Sequence, residues 1–224
     1  MKLSARSHTF LEEGRIIMQE NNIRKLYENL VASYGFSEEN VMFLKSVFPE
    51  MKRDIKSLYV AYSVIKNDLE QPINIGDIEL NLIEDKVEIT YNSNVAGFYK
   101  DEFKHFLAQT ITICEGILPQ GTLVELDLEK IKVPNPYATQ LYVVITKRFL
   151  GDENGPFYQY GGELYPTGNY GTGKIISFTP ATIKRIVHMG YESEIDEQFV
   201  YEIMDEIVVK QHRLSMGFVE NKEA

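Results

Sequence analysis

Apolar and polar positions change period four times along this chain, and each change marks a switch between helix and strand. In "EEGRIIMQENNIRKLYENLVASYG" the apolar residues Ile16, Ile17, Ile23, Leu26, Tyr27, Leu30 and Val31 recur near helical spacing, and Gly35 supplies a stop. Ser37 is placed as an N-cap, with Glu38 and Glu39 at the positive end of a second helix that the pattern ends near Pro49. A third helical stretch, "MKRDIKSLYVAYSVIKNDL", carries Ile55, Leu58, Tyr59, Tyr62, Val64 and Ile65 as an inward stripe.

After Pro72 the period falls to two. Ile78, Leu80 and Leu82, then Val87, Ile89 and Tyr91, alternate with polar residues around Glu84, Asp85 and Lys86, which predicts a β-hairpin over about 76–91. From about Val95 to Leu118 helical spacing returns, with Phe98, Phe103, Phe106, Leu107, Ile111 and Ile113, and it ends at "LPQG". Four short apolar runs then alternate with turn-rich segments: "GTLVELDL", "QLYVVITKRFL", "GPFYQYGGELYP" and "KIISF". They predict an antiparallel meander. "TPATIKRIVHMGY" follows as a short helix capped by Thr179 with Pro180 in its first turn. A last amphipathic helix, "EIDEQFVYEIMDEIVVKQHRL", sets Ile195, Phe199, Val200, Ile203, Ile207 and Val208 on one face. The sum is an α+β fold in two parts. Residues 1–117 form a helical module with the hairpin, and residues 118–224 form a small antiparallel sheet with a short helix and a C-terminal amphipathic helix.

Composition narrows the function classes. Hydrophobic residues at 44% and charged residues at 25% suit a folded globular chain. A formal charge of -10 argues against nucleic acid as a partner, because phosphate binding depends on clustered Lys and Arg. The first fifteen residues lack the uninterrupted apolar core of a secretory signal, and no stretch approaches the ~18 consecutive apolar residues of a membrane span. The expectation is a cytoplasmic protein without membrane insertion. Cys114 is the single cysteine and lies among apolar neighbours in "TITICEGIL", which predicts a buried thiol rather than a nucleophile.

Three candidate chemistries deserve weighing. "GNYGTGK", from Gly168 to Lys174, spells the start of a phosphate-cradling loop, yet Ile175 stands where Ser or Thr would hold magnesium, and "IISF" continues as a strand. Five glycines and three tyrosines between Tyr160 and Lys174 instead suit a tight strand connection. His8, His105, His188 and His212 fall in separate elements. Only His188 with Glu192 approaches a paired spacing, and Gly190 between them favours a helix terminus. No nucleophile elbow occurs, so no catalytic, metal or cofactor-binding residue is assigned. Seven acids between Glu192 and Glu206, uninterrupted by a base, form a solvated helix face or a dock for a basic protein.

Four blocks carry a family resemblance: "LPQGTLVEL", "YVVITKRFL", "YQYGGELYPTGN" and "ISFTPATIKRIVHMGYESE". Pro119, Gly121, Thr122, Lys147, Arg148, Tyr158, Tyr160, Leu164, Tyr165, Pro166, Gly168, Phe178, Ile183, Gly190 and Tyr191 occupy the pattern positions. In that order the blocks, over roughly 118–195, resemble a domain-of-unknown-function family of Gram-positive bacteria. That family is similar to accessory proteins encoded beside type VII secretion systems and their LXG-type toxins. The resemblance implies a non-enzymatic adaptor or chaperone whose partner is a protein: the toxin, a secretion accessory protein, or a second copy of the chain. An immunity protein against a cognate toxin, and an enzyme using the glycine loop on a phosphate ligand, are the alternatives. Tyr158, Tyr160, Tyr165, Glu202, Asp205 and Glu206 are the candidate partner contacts, although the alternation of the tyrosines equally suits strand packing.

Overall fold

In the computed structural model, residues 20–69, 71–131, 139–168 and 175–219 are described. The fold is α+β, with five α-helices and two antiparallel sheets among the described residues. It divides into two compact units. One is built from Asn21–Glu115 and Ile203–His212; the other comprises Gly116–Glu202 and residues 213–219. The sequence reading divides the chain once, at 117/118, whereas here Ile203–His212 packs as part of the first unit.

The helical unit opens with α1 (Glu20–Ser33), α2 (Glu38–Arg53) and α3 (Ile55–Asn67). Ser37 caps α2 as expected, its hydroxyl accepting from the Asn40 amide at 3.3 Å. Pro49 does not end α2. The helix runs on to Arg53 because Phe48 and Met51, on either side of the proline, are both buried, and their packing outweighs the lost backbone bond. The break comes at Asp54, whose side chain accepts from the Ser57 amide at 3.1 Å, so 51–69 is the end of one helix and the start of another. Tyr27 anchors this core, stacking on Phe48 at 3.9 Å and donating its hydroxyl to the Leu44 carbonyl at 3.0 Å.

The hairpin over 76–91 sits inside a larger element. β1 (Ile73–Ile75), β2 (Ile78–Ile83), β3 (Lys86–Tyr91) and β4 (Asn94–Tyr99) make a four-stranded meander with Leu80 opposite Ile89 and Ile89 opposite Ala96. The helical reading of residues 95–99 is therefore overturned. Asn92 and Ser93 both have left-handed φ, 48° and 64°, which is the backbone of a two-residue hairpin turn, and it starts a strand where only α4 (Lys100–Glu115) had been expected. Ala96 and Phe98 face inward and Val95 outward, a period of two that is too short to register against the helix behind it. α4 itself is buried from Phe106 through Cys114.

The second unit carries a five-stranded sheet in the order β8-β7-β6-β5-β9. Its strands are β5 (Leu123–Leu126), β6 (Leu141–Gly151), β7 (Phe157–Leu164), β8 (Ile176–Phe178) and β9 (Ile183–His188). The four-run meander is as expected, but the fifth strand replaces the short helix assigned to 179–191. Thr179 and Pro180 start only a single 3₁₀ turn, Pro180–Thr182, after which the chain pairs with β5, Val124 standing opposite Ile186. Ile183, Ile186 and Val187 are β-branched, and an available edge on β5 decides a case that local propensity leaves open. The chain then enters α5 (Glu194–Met204), which continues as a π-helical turn, Asp205–Lys210, closed by the Gln211 amide on the Glu206 carbonyl at 3.0 Å.

Candidate functional site

Most residues of the sequence pattern have work inside the sheet unit. Gly121 takes a φ of 83° and donates its amide to Ile145, while Ile145 donates back to Thr122, and these two bonds fasten the loop before β5 to β6. The Thr122 hydroxyl donates to the Pro119 carbonyl at 2.7 Å and accepts from the Gly190 amide at 3.0 Å. A Cβ on Gly190 would lie 2.1 Å from the Gln120 carbonyl oxygen, so only glycine lets these two backbones meet. Tyr160 is 2% exposed, accepts a hydrogen bond from the Leu118 amide at 3.0 Å, and packs its ring on Phe178. These residues form a latch holding β9 and its exit against the start of β5.

The latch delivers the chain to a surface that the fold leaves uncovered. Directly after Gly190, Tyr191 is 85% exposed, and on α5 Ile195 is 84% and Phe199 45% exposed. Ile195 and Phe199 are four residues apart and share a face. The expectation that they share one face with Val200 is corrected: Val200 and Met204 are the fully buried residues of this helix, and Ile195 and Phe199 are exposed. At 100° per residue, positions 195, 199, 203, 200 and 204 spread over ~180°, too wide for one core-facing stripe.

α5 is pinned in that orientation by β6. Arg148, with a side chain 5% exposed, donates to both oxygens of Asp196 at 3.0 and 2.6 Å, and its guanidinium lies 5.3 Å from the Phe199 ring centroid. Phe149, the next residue, also reaches Phe199, with ring centroids 6.5 Å apart. Neighbouring strand residues normally point to opposite faces; a left-handed φ of 56° at Phe149 removes that constraint. An aromatic residue in this conformation carries strain, of the kind that collects at functional surfaces.

The electrostatics are one-sided. On the helical wheel Glu202 falls within ~60° of both Ile195 and Phe199 and Glu194 within ~100° of Ile195, Glu192 follows Tyr191 directly, and Glu197 turns towards the buried Met204; no Lys or Arg occurs from Glu192 to Glu206. Burial, then the carboxylates of Asp196 and Glu197, push the Glu192 carboxyl above the ordinary range. Asp196 has its own partner in Arg148; Glu202 accepts from the Gln198 amide at 2.7 Å.

The six sequence-derived contact candidates fare differently. Tyr165 is 55% exposed and Tyr158 half-buried, whereas Tyr160 belongs to the core and presents no surface to a partner. Glu202 closes the sheet unit, while Asp205 and Glu206 lie in the helical unit, where both pair with Lys210 and Asp205 also accepts from Asn29 at 3.1 Å. Tyr191, Ile195, Phe199, Arg148 and Phe149 were not singled out as contacts.

Enzyme-like arrangements are sparse. Gly173 and Lys174 lie outside the described residues, and the element that follows them is strand β8, not the helix a phosphate loop feeds. His188 ends strand β9, so the helix terminus expected at Gly190 is overturned. His8 lies outside the described residues; among those described, no three His, Cys, Asp or Glu side chains group to hold a metal ion. In the helical unit an open cleft of about 400 Å³ is lined by Ser33, Tyr34, Asp101, Glu102, His105 and His212. Its Tyr34 hydroxyl donates to Gln109, its Ser33 hydroxyl donates to the Leu30 carbonyl, and burial lowers the His212 pKa. Cys114 is buried, its thiol pushed up to about 12 chiefly by desolvation. No helix among the described residues is long and apolar enough to cross a membrane.

Residues 117–199 match the family model described as a domain of unknown function, DUF4176. That span is close to the 118–195 that carries the sequence pattern, and it contains the latch, Arg148, Phe149, Tyr191, Ile195 and Phe199. No curated protein and no solved structure matches the chain.

Proposed function

We propose that the chain is a non-enzymatic cytoplasmic adaptor or chaperone that binds a protein through the face formed by Tyr191, Ile195 and Phe199. The observation that carries this reading is a large aliphatic and two aromatic side chains held outward, beside a helix that a buried Arg148–Asp196 pair fixes in place. Exposed aromatics on a rigid element make efficient anchors, since little side-chain freedom is lost on docking. The resemblance to families encoded beside type VII secretion loci makes an LXG-type toxin, or an accessory protein of its export, the partner of choice.

The test is affinity purification of the tagged full chain from its native cytoplasm, with an Ile195→Asp variant run in parallel. The reading expects a secreted toxin bound through its N-terminal export region and lost in the variant. Binding to the toxin's catalytic region would replace the adaptor reading with the immunity reading. Recovery of the wild-type chain alone, as monomer or homodimer, would remove both.

A further inference from the structure

We infer that the occupant of the Tyr191–Ile195–Phe199 face is a cationic amphipathic helix, an inference that rests on the adaptor reading and names its partner's chemistry. Ile195 and Phe199 form a ridge one helical turn long, extended towards the sheet by Tyr191, and a ridge of this kind packs into the groove between side-chain rows of another helix. A partner helix with apolar residues at i, i+3, i+4 and i+7 would cover it.

Charge decides what flanks that apolar stripe. Glu202 lies beside Ile195 on the ridge's own helical face, Glu194 flanks it and Glu192 follows Tyr191 directly; burial, then repulsion from Asp196 and Glu197, raises the Glu192 pKa. Lys and Arg on the partner's borders relieve that repulsion. The same acids oppose two other occupants. A second copy seated by two-fold symmetry would bring the cluster against itself, and an anionic lipid surface would be repelled. Internally, Arg148 is the cation that already answers Asp196, and its guanidinium backs the Phe199 ring, so the face is a pre-formed ridge. A docking helix has little to organise beyond its own side chains.

The test uses the full chain and a synthetic fluorescent peptide of about five helical turns, leucine on the i, i+3, i+4, i+7 face and lysine elsewhere. Comparison peptides carry glutamate in place of lysine, or the same residues in scrambled order. Fluorescence anisotropy is expected to show binding of the basic peptide alone, weakening by about tenfold as salt rises from about 0.05 to 0.5 M, as the screening length shortens. Ile195→Asp is expected to weaken binding at least about tenfold even though it adds a negative charge, because the apolar ridge is what it removes. Glu192→Gln/Glu194→Gln/Glu202→Gln is expected to lose the salt dependence and most of the affinity, while Glu79→Gln/Glu88→Gln, on the other sheet, changes neither.

Equal binding of the acidic or scrambled peptide, equal loss in the Glu79/Glu88 variant, or no effect of Ile195→Asp would overturn the inference. So would recruitment of the chain to phosphatidylserine vesicles, or a homodimer that Ile195→Asp dissolves. If the native partner is lost with Ile195→Asp but kept by the triple glutamine variant, the adaptor reading stands and the cationic helix fails. If Ile195→Asp keeps the native partner, the adaptor site itself is wrong.

Discussion

Replacing Gly190 by alanine tests the latch most directly. The added Cβ would sit 2.1 Å from the Gln120 carbonyl oxygen, 2.8 Å from the Thr122 amide nitrogen and 2.9 Å from the Gln120 carbonyl carbon. All three atoms belong to backbone, so no rotamer change relieves the overlap. Carbon–oxygen contacts seldom close below about 3.3 Å, so the two segments must part by about 1.2 Å. That displacement breaks the 3.0 Å bond from the Gly190 amide to the Thr122 hydroxyl. Overpacking costs about 1–3 kcal/mol and a lost hydrogen bond about 1 kcal/mol, which together give about 2–4 kcal/mol. For a unit of this size the expected fall in Tm is roughly 8–30 °C. Gly97 provides the control. Its Cβ would meet nothing within 4 Å and its φ is ordinary, so Gly97→Ala should be neutral or stabilising by up to about 1 kcal/mol. The protein has no tryptophan and 14 tyrosines, so urea unfolding is followed by far-UV circular dichroism and tyrosine fluorescence. Because Gly190 delivers the chain to Tyr191, the same variant should also weaken binding at the apolar face. A Gly190→Ala protein within about 0.5 kcal/mol of wild type would refute the reasoning, since surface substitutions of no structural consequence fall in that range.

Other residues make sharper local tests. Tyr160→Phe leaves the buried Leu118 amide without its 3.0 Å acceptor and should cost about 1–3 kcal/mol in urea unfolding; a neutral effect would mean that this bond adds nothing. Glu125, almost fully buried, is held below the ordinary carboxylate range by Lys184 and, after it, Arg185, against the opposing pull of burial. A depressed folded pKa gives stability that is present above the unfolded value of about 4.3 and lost as pH falls through the folded one. Glu125→Gln should therefore be less stable than wild type at neutral pH, with the gap closing below about pH 4 in parallel melting curves. A gap constant across pH would sink that assignment. Cys114, buried and with its thiol pushed up to about 12, should react with an aromatic disulfide reagent only after unfolding. Rapid stoichiometric labelling of the native protein would contradict its burial.

Local chemistry made parts of this fold legible in the sequence. Ser37 as a cap, Gly35 as a stop at a φ of 71°, and the alternation across β2 and β3 all depend on residues within a turn of one another. The five-stranded sheet announced four of its strands through apolar runs between turn residues, and the buried thiol of Cys114 followed from its neighbours. Tertiary structure decided what local preference could not. Pro49 stays within a helix because Phe48 and Met51 are packed, and residues 183–188 become a strand because β5 offers an edge. Phe199 points outward because Arg148 and Phe149, fifty residues away, hold it there, while Tyr160 turns inward because the Leu118 amide needs an acceptor. Exposure of a given residue is a property of what the rest of the chain covers. The sequence could therefore show that the last helix is amphipathic and acidic, but only the folded chain chose which of its apolar residues remain for a partner.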